Sequence, residues 1–91
     1  MNKSEFIKII DNLNLDKEEY YILGGGSLLM HGIRESASDI DLCVSMKLFE
    51  NLKEKYNLDD SKKNNCGFYK INDLIEIIPN EKKRFYKIFY F

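Results

Sequence analysis

Apolar positions along the chain follow two periods, and the switches between them predict the elements. Phe6, Ile9, Ile10 and Leu13 recur at helical spacing, so residues 4–13 read as a helix, with Ser4 as N-cap and Glu5 in its first turn. Tyr20 to Leu23 is a short β-prone run stopped by glycine, which predicts a strand. A short helix is expected over 27–33, closed by Gly32 and the polar stretch Arg34 to Ser38. Asp39 to Ser45 alternates as a second strand, with Ile40, Leu42 and Val44 on one side. Residues 46–56 form the clearest helix. Leu48, Phe49, Leu52 and Tyr56 share one face, Lys47, Glu50, Lys53 and Glu54 the other, and Ser45 can cap it. A polar loop over 59–65 follows. Residues 68–71 and 74–78 read as two strands joined by a tight turn at Asn72-Asp73, and Pro79 is expected to end the second. The order predicts an α+β fold: a mixed β-sheet (strand-helix-strand-helix-strand-strand) flanked by helices.

Composition narrows the class without choosing a function. A chain of 91 residues makes a single domain with a modest core. Fourteen basic against fifteen acidic residues leave a formal charge of −1, so bulk charge advertises neither nucleic acid nor membrane. No apolar run approaches the roughly 20 residues that cross a bilayer, and no signal peptide is read at the N-terminus. Cys43 and Cys66 have no second ligand at zinc spacing. A reduced, cytoplasmic protein is expected, with Cys43 as a small core residue. Five of the twelve aromatics crowd into the last seven residues (Phe85, Tyr86, Phe89, Tyr90, Phe91), interleaved with Lys82, Lys83, Arg84 and Lys87. The main expectation there is a final core element; the others are a surface for a protein partner or homo-oligomer and, more weakly, single-stranded nucleic acid.

Candidate chemistry lies between residues 24 and 76. Gly24, Gly25 and Gly26 end the first strand. Consecutive glycines let the backbone approach another group and aim N–H groups at it, and Ser27 adds a hydroxyl at the start of a helix, a setting that favours phosphate. A plain tight turn is the alternative. Asp39 and Asp41 stand two apart on a strand, so their carboxylates share a side and repel. A cation between them would relieve this, and magnesium suits, since it takes carboxylates together with substrate phosphates. A solvated edge is the alternative. Glu76 interrupts the apolar run Leu74-Ile75-Glu76-Ile77-Ile78, where a lone carboxylate is costly unless paired or metal-bound. Its alternatives are an edge position or a lysine partner. Asp73 competes as a third acid but is explained by its turn. His31 reads as a satisfied side chain on the short helix.

Together these residues resemble the nucleotidyltransferase superfamily, which includes the minimal nucleotidyltransferases, the antibiotic nucleotidyltransferases and the AbiEii-type toxins. Leu23-Gly24-Gly25, then Asp39-Ile40-Asp41-Leu42, then Ile75-Glu76-Ile77 match its pattern in order, over about residues 20–78. Gly26-Ser27 is an alternative frame for the glycine motif. The resemblance implies a nucleotidyltransferase-like fold and transfer of a nucleoside monophosphate from a nucleoside triphosphate to a hydroxyl of a protein, RNA or small molecule, in a toxin–antitoxin or defence setting. It implies that Gly24, Gly25, Gly26 and Ser27 hold the triphosphate, that Asp39 and Asp41 bind two magnesium ions, and that Glu76 serves the ion activating the acceptor or acts as base. Arg34 is a candidate phosphate contact, or a solvated loop arginine. Glu76 stands where Asp is commoner. Most members carry a further helical region, so the expectation is either a partner subunit or oligomer, or a truncated or inactive form. A catalytically degenerate binding module is the alternative function.

Overall fold

The computed structural model describes residues 1–80. The aromatic tail expected to complete the core or form a partner surface lies outside those residues. The chain folds as α1 (Lys3–Leu13), β1 (Tyr20–Leu23), α2 (Gly24–Met30), β2 (Ile40–Ser45), α3 (Met46–Tyr56), β3 (Tyr69–Lys70) and β4 (Ile75–Asn80), with short 3-10 turns at Lys17–Glu19 and Asp60–Lys62. The four strands form one mixed sheet in the order β1-β2-β4-β3. β2 pairs antiparallel with β1 and parallel with β4, and β3 pairs antiparallel with β4. The α+β class and the strand and helix order agree with the sequence pattern.

The register sorts the strands into two faces. Tyr20, Ile22, Ile40, Leu42, Val44, Tyr69, Ile75 and Ile77 are all buried on one face. They pack with Phe6 and Ile10 of α1, Leu29 and Met30 of α2, and Leu48, Phe49 and Leu52 of α3. A two-residue period on each strand meets a 3.6-residue period on each helix, and the apolar set of both goes inside. Row by row, the other face carries Leu23, Asp41, Glu76 and Lys70, and beside them Tyr21, Cys43 and Ile78.

Several boundaries differ from the sequence expectation. α1 is capped by Asn2, not Ser4: Asn2 Oδ1 accepts from Glu5 N–H and Glu5 Oε1 accepts from Asn2 N–H, a reciprocal capping box. α2 starts at Gly24, so the three glycines are its first turn rather than a loop before it. The last two strands are joined by a longer turn, in which Asn72 Oδ1 accepts from Leu74 and Ile75 N–H. Pro79 does not end β4. The short β3 reaches only Ile77 and Glu76, so a residue without an N–H is tolerated further along. Cys43 is buried but lies on the face away from the helices. There its thiol is pushed up by burial, and a hydrogen bond with Tyr21 partly offsets that. Ser45 caps α3 as expected, accepting from Leu48 N–H, and donates to Glu19 Oε1 at 2.8 Å. Among the described residues no helix is long and apolar enough to cross a membrane.

Candidate metal centre

The site is built by strand register. Asp41 and Glu76 are direct neighbours on the parallel strands β2 and β4. Equal register on parallel strands puts both side chains on one face, and here it is the face without helices. Asp39 precedes β2 by one residue and shares that face. Its position is set by Ile40 N–H, which donates to Leu74 O at 2.7 Å and clasps the start of β2 to the start of β4. Each of the three acids offers an oxygen, and these oxygens lie within 4.8 Å of one another.

Burial pushes the Asp41 carboxyl above its ordinary value, and the charges of Asp39 and Glu76 push it the same way. The group could hold a metal ion. Its chemistry fits a hard cation: the donors are all carboxylate oxygens, and ligand atoms on opposite sides of a magnesium ion stand about 4 Å apart. Among the described residues no lysine or arginine forms an ion pair with the three acids. Lys70 instead pairs with Asp73, at 3.8 Å. Lys70 is the cross-strand neighbour of Glu76 but reaches the turn instead. Asp73 is therefore accounted for by its turn.

The three glycines stand in three different surroundings. Gly24 has φ +61, the left-handed region that glycine enters without strain, and a Cβ there would lie 3.6 Å from Asp41 Oδ2. Gly25 lies under Arg34, whose Nη1 would be 2.7 Å from a Cβ. Gly26 is buried against the core, where a Cβ would sit 2.8 Å from Phe6 Cε2 and 3.0 Å from Ile22 Cγ2. Gly24 and Gly25 thus border the acids and Arg34, while close packing against α1 accounts for Gly26. Leu23, the α2 N-cap, provides no side-chain cap, so the first N–H groups of the helix lack that partner. Ser27 is half-buried in α2, and its carbonyl accepts from His31 N–H at 3.1 Å and His31 Nδ1–H at 2.8 Å. His31 is thereby satisfied, as its lone position suggested.

One residue of the site escaped the sequence reading. Asn64 Nδ2 donates to Glu76 Oε2 at 3.2 Å. Asn64 sits in a wholly polar loop, where nothing local separates it from its solvated neighbours; the only signal was its aptitude for side-chain turns. No family model, no curated protein and no solved structure matches the chain.

Proposed function

We propose that the chain is a nucleotidyltransferase-fold enzyme that moves a nucleoside monophosphate from a nucleoside triphosphate to an acceptor hydroxyl, with magnesium as cofactor. One observation carries this reading: the three acids singled out by their spacing converge, their oxygens within 4.8 Å, next to the glycine turn. Convergence of residues 39, 41 and 76 needed β2 and β4 to be parallel neighbours in one particular register; a shift of one residue would have sent Glu76 into the core.

In this reading Asp39 and Asp41 would hold magnesium for the triphosphate, and Glu76 would serve the acceptor. The bound ions would offset phosphate charge and make the acceptor hydroxyl easier to deprotonate. The acceptor oxygen bonds to the α-phosphorus, the bond from that phosphorus to the bridging α–β oxygen breaks, and pyrophosphate leaves. The hydroxyl proton passes to Glu76 or to solvent. Gly24 and Gly25 let the triphosphate approach the backbone, and Arg34, above Gly25, faces its charge. Such chemistry asks chiefly for positioning and charge neutralisation.

The test is transfer of label from α-labelled nucleoside triphosphates, with magnesium and cell extract, by the chain and by its Asp39→Ala/Asp41→Ala variant. Transfer that the double substitution abolishes is expected. Magnesium-dependent triphosphate binding with no transfer would instead identify a binding module. The absence of both would remove the nucleotidyltransferase reading.

A further inference from the structure

The loop between α3 and β3 is tied together by Asn64. Its side-chain Oδ1 accepts from Cys66 N–H at 2.9 Å and from Phe68 N–H at 3.0 Å, and its backbone N–H donates to Phe68 O at 2.8 Å. Gly67 N–H donates to its carbonyl at 3.1 Å. With Oδ1 committed to two N–H donors, the carboxamide can turn only its NH2 toward Glu76, so the orientation is decided by the loop itself.

We infer that Asn64 is a positioning residue for Glu76, fixing its carboxylate beside Asp39 and Asp41 by holding Oε2. The role rests on the metal-dependent reading above. A neutral amide suits this task better than a lysine. It restrains the carboxylate without cancelling the charge a cation needs, and Lys70, the cross-strand neighbour that could have cancelled it, pairs with Asp73. Partners that orient a metal ligand in this way typically account for about 10- to 100-fold in metal affinity. The polar loop is thereby coupled to the site: whatever moves residues 64–68 moves the Glu76 carboxylate.

The experiment measures Mn2+ affinity of the full chain from the electron spin resonance of free ion. Asn64→Ser keeps an oxygen for Cys66 N–H and removes the amide donor. The expected result is a 10- to 100-fold weaker affinity, with the circular dichroism and metal-free melting curve of a folded chain. In the Glu76→Gln background the same substitution should cost nothing further, because its effect passes through Glu76. An affinity unchanged by Asn64→Ser, or an equal loss on top of Glu76→Gln, overturns the positioning role while leaving the metal site standing. Failure of the unsubstituted chain to bind Mn2+ overturns the metal reading and this role with it. If Asn64→Ser does not fold, the Asn64 side-chain NH2 signals of the unsubstituted chain decide. They must shift during a Mg2+ titration with the same midpoint as the Glu76 backbone amide, and signals that stay put overturn the role.

Discussion

Replacing each glycine of the turn by alanine, one at a time, should separate packing from function within three consecutive residues. Alanine in place of glycine ordinarily stabilises by about 0.4–1 kcal/mol, because it narrows the unfolded ensemble. At Gly26 that gain is outweighed. The new methyl would overlap the Phe6 ring, 2.8 Å from Cε2, and press on Ile22 Cγ2 at 3.0 Å. Phe6 is fully buried and cannot swing out. Overpacking of this kind costs about 1–3 kcal/mol, leaving a net loss of up to about 2.6 kcal/mol. In a domain of this size each kcal/mol lowers the melting temperature by about 4–8 °C. At Gly24 the packing is ordinary but the backbone is left-handed, and an L-residue there costs about 1–2 kcal/mol. At Gly25 the new methyl meets only the far end of Arg34, an exposed and flexible side chain, which can move aside. Gly25→Ala should therefore stay within about 0.5 kcal/mol of the parent and yet, on the proposed function, weaken triphosphate binding, since it displaces the guanidinium and fills the approach to the backbone. Urea denaturation of the three variants gives the stabilities, and nucleotide titration gives the affinities. A Gly26→Ala variant as stable as the parent would refute the packing of α2 on α1. A destabilised Gly25→Ala would show that this glycine, too, serves the fold.

Three further predictions concern titration and thiol chemistry. Because burial and two neighbouring acids raise the Asp41 pKa above 3.8, its contribution to metal-free stability is full below that value and is lost as pH rises through the folded pKa. Asp41→Asn should thus raise the metal-free melting temperature at pH 7 but not at pH 3, and, on the proposed metal role, should remove a stabilisation by Mg2+ expected of the parent (about 1.4 kcal/mol at a cation concentration tenfold above Kd). Equal effects of the substitution at both pH values would refute the charge-repulsion account. Of the two thiols, Cys66 is exposed, whereas Cys43 is buried with a raised pKa. A thiolate-selective reagent at pH 7.5 should label one sulfur promptly and the other only on unfolding, and peptide mapping should place the fast one at Cys66. The phenol of Tyr21, pushed up to about 12 chiefly by its hydrogen bond to Cys43, should stay un-ionised at pH 10.5 in an ultraviolet titration.

Periodicity determined most of the architecture. Ile40, Leu42 and Val44 alternate in the chain and are fully buried in the fold, and α3 covers Met46–Tyr56 as its apolar face predicted. These features are local, since side-chain direction follows from the period of the element alone. The pairing of Asp39 with Asp41 was local for the same reason, and so was the anomaly of Glu76 among isoleucines. Other features depended on residues far apart in sequence. That β4 lies beside β2, parallel and with Glu76 opposite Asp41, is a matter of sheet order, which no single strand encodes. The surroundings of the three glycines could not be read from the chain: in the fold Phe6, eighteen residues before Gly24, occupies the space beside Gly26, while Arg34 and Asp41 occupy that beside Gly25 and Gly24. Asn64 reaches Glu76 across twelve residues through a loop with no apolar pattern to predict its course. The sequence alone thus determined which side chains share a face of each element. Only tertiary packing decided which elements face one another, because that choice depends on the total apolar area buried by the whole sheet and its helices.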